Sequence, residues 1–198
     1  MPSQIIDVKT AIRFLRAHAD EYEIDPEHIG IIGRSAGGQL SALAAMNSDS
    51  YESEEWSAYS SHVQACCDMF GPVDFVKLIE DDALEMRTNP NCRWKKPEDT
   101  HAGALFGGDM STLKERAKPY CPPYILTKEM CPILILHGDC DKLVSCDISE
   151  AFYDDIVKAG MEDRADLYIL HGAGHGTKEF FQQETKEIIR AFFDKNLK

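Results

Sequence analysis

A chain of 198 residues with 43% hydrophobic content fits one domain with a real core. Its formal charge of −13 argues against nucleic acid or an anionic membrane surface as the main partner, and reads as a well-solvated surface. No apolar run approaches the roughly 20 residues of a membrane span. Met1-Pro2-Ser3-Gln4 leads straight into an amphipathic segment without a leader pattern, so the expectation is a cytoplasmic protein. Of the seven cysteines, Cys66 and Cys67 are adjacent and the others are scattered without zinc-type pairs, which suits reduced thiols in a reducing compartment.

In chain order, residues 4 to about 20 predict a helix: Ile5, Val8, Ile12, Leu15 and Ala19 recur at helical spacing, and Ser3 can cap the start. Residues 22 to 27 form a turn around Asp25-Pro26. Ile29, Ile31 and Ile32, bounded by glycines, predict a buried parallel strand. Gly33-Arg34-Ser35-Ala36-Gly37 follows, a G-x-S-x-G pattern that puts a serine on a sharp strand-to-helix turn with its hydroxyl exposed above the sheet. Glycines on both sides remove Cβ atoms that would clash in so tight a turn. Ser35 is therefore the candidate nucleophile, and the Ala36 N–H at the helix N-terminus the candidate oxyanion donor. The plain alternative is a capping serine in a small-residue turn.

The helix runs through Ala45, and residues 47 to 61 are polar enough for a surface loop. Residues 63 to 70 predict the next strand. Residues 71 to 131 lack strand alternation and hold most of the prolines. They are expected to be a helical and loop insertion over the active-site face of a single domain spanning 1–198. Cys131-Pro132-Ile133-Leu134-Ile135-Leu136-His137-Gly138 is a clear buried strand. A helix follows from 148 to about 159, with Ile148, Ala151, Phe152 and Ile156 on one face and Gly160 at its end. Residues 165 to 170 predict a strand, and 178 to about 197 a closing helix with an apolar stripe of Phe180, Phe181, Ile188, Ile189, Phe192 and Phe193. Strands alternating with helices imply an α/β fold with a parallel sheet.

A serine hydroxyl needs a base, and the base an orienting group. In a parallel sheet both come from loops at the carboxyl ends of strands. His137-Gly138-Asp139-Cys140-Asp141-Lys142-Leu143-Val144 offers two carboxylates in such a loop, and His171-Gly172-Ala173-Gly174-His175-Gly176 offers His175. The four-residue spacing of His171 and His175 suits a metal pair only on a helix, and this stretch is glycine-rich, so neither a metal nor a cofactor is expected.

These segments, with Asp7-Val8-Lys9 through Ala17 and Ile24-Asp25-Pro26-Glu27-His28-Ile29-Gly30, resemble an α/β-hydrolase of the bacterial esterase/lipase type. More narrowly, the chain is similar to the carbohydrate-esterase-like group with acetyl xylan and feruloyl esterases. The resemblance spans nearly the whole chain. It implies the order nucleophile Ser35, acid Asp141, base His175, with Asp139 the alternative acid. It implies cleavage of carboxylic esters, with acetyl or feruloyl-type esters of plant carbohydrate as substrates. Members also carry strands and a His-Gly-Gly type loop ahead of the first helix, and that loop gives a second oxyanion N–H. Its absence here implies a truncated α/β-hydrolase fold of about four strands flanked by helices. It also implies low activity and an uncovered edge on the nucleophile strand, open to a homodimer partner. Arg34 and Trp94 are the candidate substrate contacts. Trp94, like Trp56, Tyr59, Tyr120 and Tyr124, offers a stacking face for sugars or packs locally. A prolyl-oligopeptidase-like peptidase and a weakly active or inactive remnant remain the alternatives.

Overall fold

The computed structural model describes residues 1–107 and 110–198. Four strands, β1 (Gly30–Arg34), β2 (Ala65–Met69), β3 (Ile133–Gly138) and β4 (Ala165–Leu170), pair in that order in one sheet. Every pairing is parallel, with Gly30 opposite Ala65, Cys66 opposite Ile133 and Ile133 opposite Ala165. Parallel neighbours need crossovers. The helices are α1 (Ser3–Ala17), α2 (Ala19–Tyr22), α3 (Ala36–Ala45), α4 (Phe75–Thr88), α5 (His101–Phe106), α6 (Met110–Ala117), α7 (Asp147–Lys158) and α8 (Gln183–Asn196); α3, then α4 to α6, then α7 lie on the three crossovers. Among the described residues, no helix is long and apolar enough to cross a membrane.

Continuous apolar runs make β2 and β3 the centre of the sheet, because both their faces must be covered. Cys66, Ile133 and Ile135 pack with Ile12, Ala42, Ile148 and Phe152 from α1, α3 and α7. Cys67, Leu134 and Leu136 point the other way, onto Phe180 just ahead of α8 and Phe192 on it. Ile133 through Leu136 are each 0% exposed, and burial of each such side chain contributes about 1.5–3 kcal/mol.

β1 departs from the expectation of a strand buried on both faces. Among the described residues it pairs only with β2. Ile31 packs into the core, while Ile32 is 51% exposed. α1 lies against α3, and Gly30, Ile32 and Arg34 of β1 are exposed.

Several local details differ from the sequence pattern. The first helix breaks at His18, whose dihedrals leave the helical basin, so two helices replace one. Pro2 rather than Ser3 occupies its N-cap, with no side-chain cap bond. The closing helix is divided at Gln182, which is extended, and Phe181 faces outward. In α7 the buried face is Ile148, Ser149, Phe152 and Ile156, while Ala151 is exposed. α1 also hides a basic stripe. Lys9 Nζ donates to the carbonyls of Ser48 and Ser50 and pairs with Glu52, and Arg13 pairs with Glu52 at 2.8 Å. Arg16 reaches the Pro26 and Ser60 carbonyls. These donors tie the polar 47–61 loop to the helix, so basic side chains of α1 hold down an irregular segment.

Asp68 interrupts the apolar run of β2. It is 0% exposed; Oδ1 accepts from the Gly71 N–H at 3.0 Å and Oδ2 has no partner. Burial pushes its carboxyl up to about 7, against the opposing pull of nearby His137 and the Gly71 N–H. The folded chain therefore keeps a proton that the unfolded chain releases near pH 4. Stability from this site is full below about pH 4 and is lost as pH rises from about 4 to about 7. Asp68→Asn is expected to raise stability above pH 7 by about 1–3 kcal/mol, with the gain vanishing near pH 4. Thermal unfolding of both chains across this range checks it; a variant less stable than the parent at pH 8 contradicts it.

Candidate active site

Because the strands are parallel, the loops after β1, β3 and β4 emerge at the same edge of the sheet. Ser35 fills the turn between β1 and α3 with φ 53° and ψ −122°, a left-handed conformation that non-glycine residues rarely adopt. The Ser35 N–H donates to the Met69 carbonyl at 2.9 Å, pinning the turn to the end of β2. A Cβ on Gly33 would lie 2.0 Å from the Gly37 carbonyl oxygen, so the turn closes only with glycine there. Gly37 has open space instead. The second close approach is at Gly38, where a Cβ would meet Asp68 Oδ1 at 2.2 Å.

The structure brings Ser35, His175 and Asp141 together. His175 Nε2 is 2.8 Å from Ser35 Oγ, and His175 Nδ1 is 2.7 Å from Asp141 Oδ2. A carboxylate oxygen accepts, so Nδ1 carries the proton and Nε2 accepts from the serine hydroxyl. Gly172 and Gly176, at φ 75° and 67°, turn the loop that delivers His175. Phe70 then packs edge-on against the imidazole, with centroids 4.8 Å apart.

Asp141 Oδ1 accepts the backbone N–H groups of Leu143 at 2.8 Å and Val144 at 3.0 Å. Burial works against its charge. The contacts with His137, the two N–H groups and His175 outweigh burial and bring the carboxyl down to about 2. Asp139 faces elsewhere: it accepts from His171 Nδ1 at 2.9 Å and from the Gly172 N–H at 2.7 Å, joining the two loops. The Ala36 N–H is the first of α3 and has no intrahelical acceptor.

Beside Ser35 and Ala36 lies a cavity of about 270 Å³, walled chiefly by Leu40, Phe75, Leu78, Leu105, Leu143 and Val144. Three of these come from the 71–131 segment. His101 stands at its rim, its basicity lowered by burial and then by Arg93. Neither Arg34 nor Trp94 lines this cavity. Arg34 lies over the Phe181 ring beside exposed Ile32, and Trp94 stacks under Arg93 and donates to Asp82 at 3.2 Å. Trp94 meets the site only through His101, its edge-on neighbour at 5.0 Å. Trp56 packs on Phe14 and Tyr120 on Tyr51, while Tyr59 and Tyr124 are exposed.

Two participants were not singled out in the sequence: Phe70, and His137, which is 0% exposed and touches Asp141. The one sequence signal for His137 was a histidine ending an otherwise unbroken apolar strand. Among the described residues, Cys146, Asp147 and Glu150 have side chains at metal-like spacing; they sit on the first turn of α7, where acidic groups complement the helix dipole.

The chain is similar to several known proteins. It is 31% identical over 159 residues to the probable carboxylic ester hydrolase LipM of Mycobacterium tuberculosis, covering 78% of this chain and 34% of that protein. It is 28% identical to esterase LipC of the same organism, covering 88% of this chain and 41% of that protein. The chain thus spans between a third and a half of these curated relatives. Among solved structures, a truncated form of a carbohydrate esterase from gut microbiota superposes with TM-score 0.81 at 32% identity, covering 99% of this chain and 69% of that one. A thermophilic esterase of Thermogutta terrifontis with butyrate bound gives 0.71 at 26% identity, covering 96% and 64%. The BD-FAE family model matches residues 1–156, a span that holds the Ser35 turn and the Asp141 loop, and the chain belongs to this family of α/β-hydrolases.

Proposed function

We propose that this chain is a serine hydrolase of carboxylic esters that works through an acyl-enzyme. The observation that carries the reading is the Ser35–His175–Asp141 array, with links of 2.8 Å and 2.7 Å, opening onto an apolar cavity. In this reading Ser35 Oγ attacks the ester carbonyl carbon as its proton passes to His175 Nε2. The same nitrogen returns the proton to the leaving alcohol, and water then repeats the cycle to release the acid. Asp141 holds the imidazole tautomer and stabilises the imidazolium. The Ala36 N–H stabilises the oxyanion, a contribution of about 10²–10³ in kcat for one donor.

The relatives' ester-hydrolase names and the carbohydrate-esterase neighbour support acetyl or feruloyl-type esters of plant carbohydrate as the substrate class. The apolar wall suits the acyl group, leaving the sugar outside. We place the protein in a reducing, cytoplasmic compartment on the strength of five buried, unpaired cysteines. We infer further that two copies pair through the free edge of β1, where Ile32 and Phe181 are 51% and 42% exposed.

Ser35→Ala and His175→Ala should each lower hydrolysis of acetyl and feruloyl esters by at least about a thousand-fold. Parent-like turnover in Ser35→Ala, or faster cleavage of a proline-containing amide than of either ester, would overturn the assignment.

Asp141→Asn should cost about 10⁴ in kcat, because an amide at this position holds the wrong tautomer. Asp139→Asn should cost less than about ten-fold, since its partners lie outside the array. The reverse ranking exchanges their roles.

Sedimentation over a concentration series should show a dimer that Ile32→Glu dissociates. A monomer throughout the series rejects the pairing.

A further inference from the structure

The array does not end at Asp141. His137, the last histidine of the β3 run, is 0% exposed, and so is Ser149 on the inward face of α7. His137 Nδ1 lies 2.7 Å from Ser149 Oγ. Its Nε2 lies 3.0 Å from the Val144 carbonyl and 3.3 Å from Asp141 Oδ2. Both neighbours of Nε2 are pure acceptors, so Nε2 bears the proton, and Nδ1 accepts from the Ser149 hydroxyl. The proton on Nε2 is thus shared, with its shorter branch to Val144 and its longer one to the carboxylate.

Every lone-pair direction of Asp141 is then occupied. Oδ1 takes the N–H groups of Leu143 and Val144, and Oδ2 faces His175 Nδ1 and His137 Nε2. Val144 is held from both sides, its N–H by Asp141 and its carbonyl by His137. A carboxylate on a loop would otherwise be free to rotate about its side-chain bonds. Here the imidazole of a core strand fixes both the turn and the plane of the carboxylate, and a hydroxyl from a core helix fixes that imidazole.

We propose that His137, oriented by Ser149, is a positioning residue that holds Asp141 in line with His175. The inference rests on the ester-hydrolase reading of the same site. Loss of His137 acts on the alignment of the base and not on substrate binding, since His137 does not line the cavity beside Ser35. The other titratable groups bearing on these rings are Asp68 on β2, close to His137, and His101 on α5, close to His175. Both stay in place in the variants below.

His137→Met removes both nitrogens at similar volume, and His137→Gln restores an amide donor near the place of Nε2. With a soluble acetyl ester, His137→Met should lower kcat by about 10- to 100-fold with KM within about two-fold, as expected for a misaligned rather than missing group. His137→Gln should recover kcat to within about three-fold of the parent. Ser149→Ala should lower kcat in the same way by a smaller amount, and it decides the question if His137→Met does not fold. Unchanged kcat in His137→Met, or equal losses in the Met and Gln variants, overturn the proposal.

The low-field proton resonance of His175 Nδ1 separates this from failure of the esterase reading, since it needs no turnover. It should move in His137→Met even if Ser35→Ala proves to hydrolyse esters as the parent does. A resonance that stays put sinks the positioning role alone.

Discussion

The parallel pairing of β1 with β2, and the turn that it forces at Ser35, is the constraint on which the rest depends. Parallel strands put all their carboxyl ends at one edge, which is why residues 35, 141 and 175 meet although 140 positions separate the first from the last. They meet at hydrogen-bond distance only because Ser35 is held at positive φ. That conformation persists because its N–H is tied to Met69 and because Gly33 admits the Gly37 carbonyl. The strain at one residue is offset by the buried pairing of a whole strand, itself stabilised by the apolar layers on either side of β2 and β3.

A second constraint runs through the middle of the sheet. Asp68 and His137 each occupy the end of an otherwise apolar strand, on the face shared with α3 and α7. A buried polar group costs about 1–3 kcal/mol unless it is hydrogen-bonded. His137 meets that demand fully, through Ser149 and Val144, and Asp68 only half, since Oδ2 is left without a partner. The two cases differ in what they support. The histidine is bonded into the loop that carries Asp141. The aspartate sits beneath α3, where the glycines at 38 and 71 make room for its Oδ1, and it braces the base of the turn through the Gly71 N–H.

Much of this was legible in the sequence for physical reasons. Unbroken apolar runs such as Ile133 to Leu136 have no stable place except a two-sided buried strand. The turn at Ser35 and the loops at Asp141 and His175 follow glycine patterns that few other structures need. What was not legible depended on partners distant in the chain. The break at His18 coincides with ring contacts to Phe14 and Trp56 and with no helix-stopping residue in the sequence. The roles of Lys9, Arg13 and Arg16 leave no local signal because the carbonyls they bind belong to a loop some 40 residues away. Arg34 sits next to the nucleophile in sequence, yet strand alternation sends successive side chains to opposite faces and carries it to the Ile32 side. Trp94 is held off the cavity by Asp82, a partner 12 residues back on α4.

Asp141 shows how local structure and chemistry share one side chain. With Oδ1 it closes the turn from 141 to 144 as an Asx-type bond, which any aspartate or asparagine after a strand can do. With Oδ2 it meets the imidazole, which demands a charge and a fixed direction. The turn-closing bonds thus orient the second oxygen, and the orientation costs no separate element of structure. Together with the contacts to His137 and His175 they keep the carboxyl ionised down to about pH 2, so the group that answers an imidazolium carries its charge. Asp139, two residues earlier in the same loop, closes a different turn by way of Gly172 and His171, and its carboxylate is taken up in joining the loops. Identity of residue type and nearness in sequence therefore do not make the two interchangeable: the direction of the remaining oxygen decides which one faces the base.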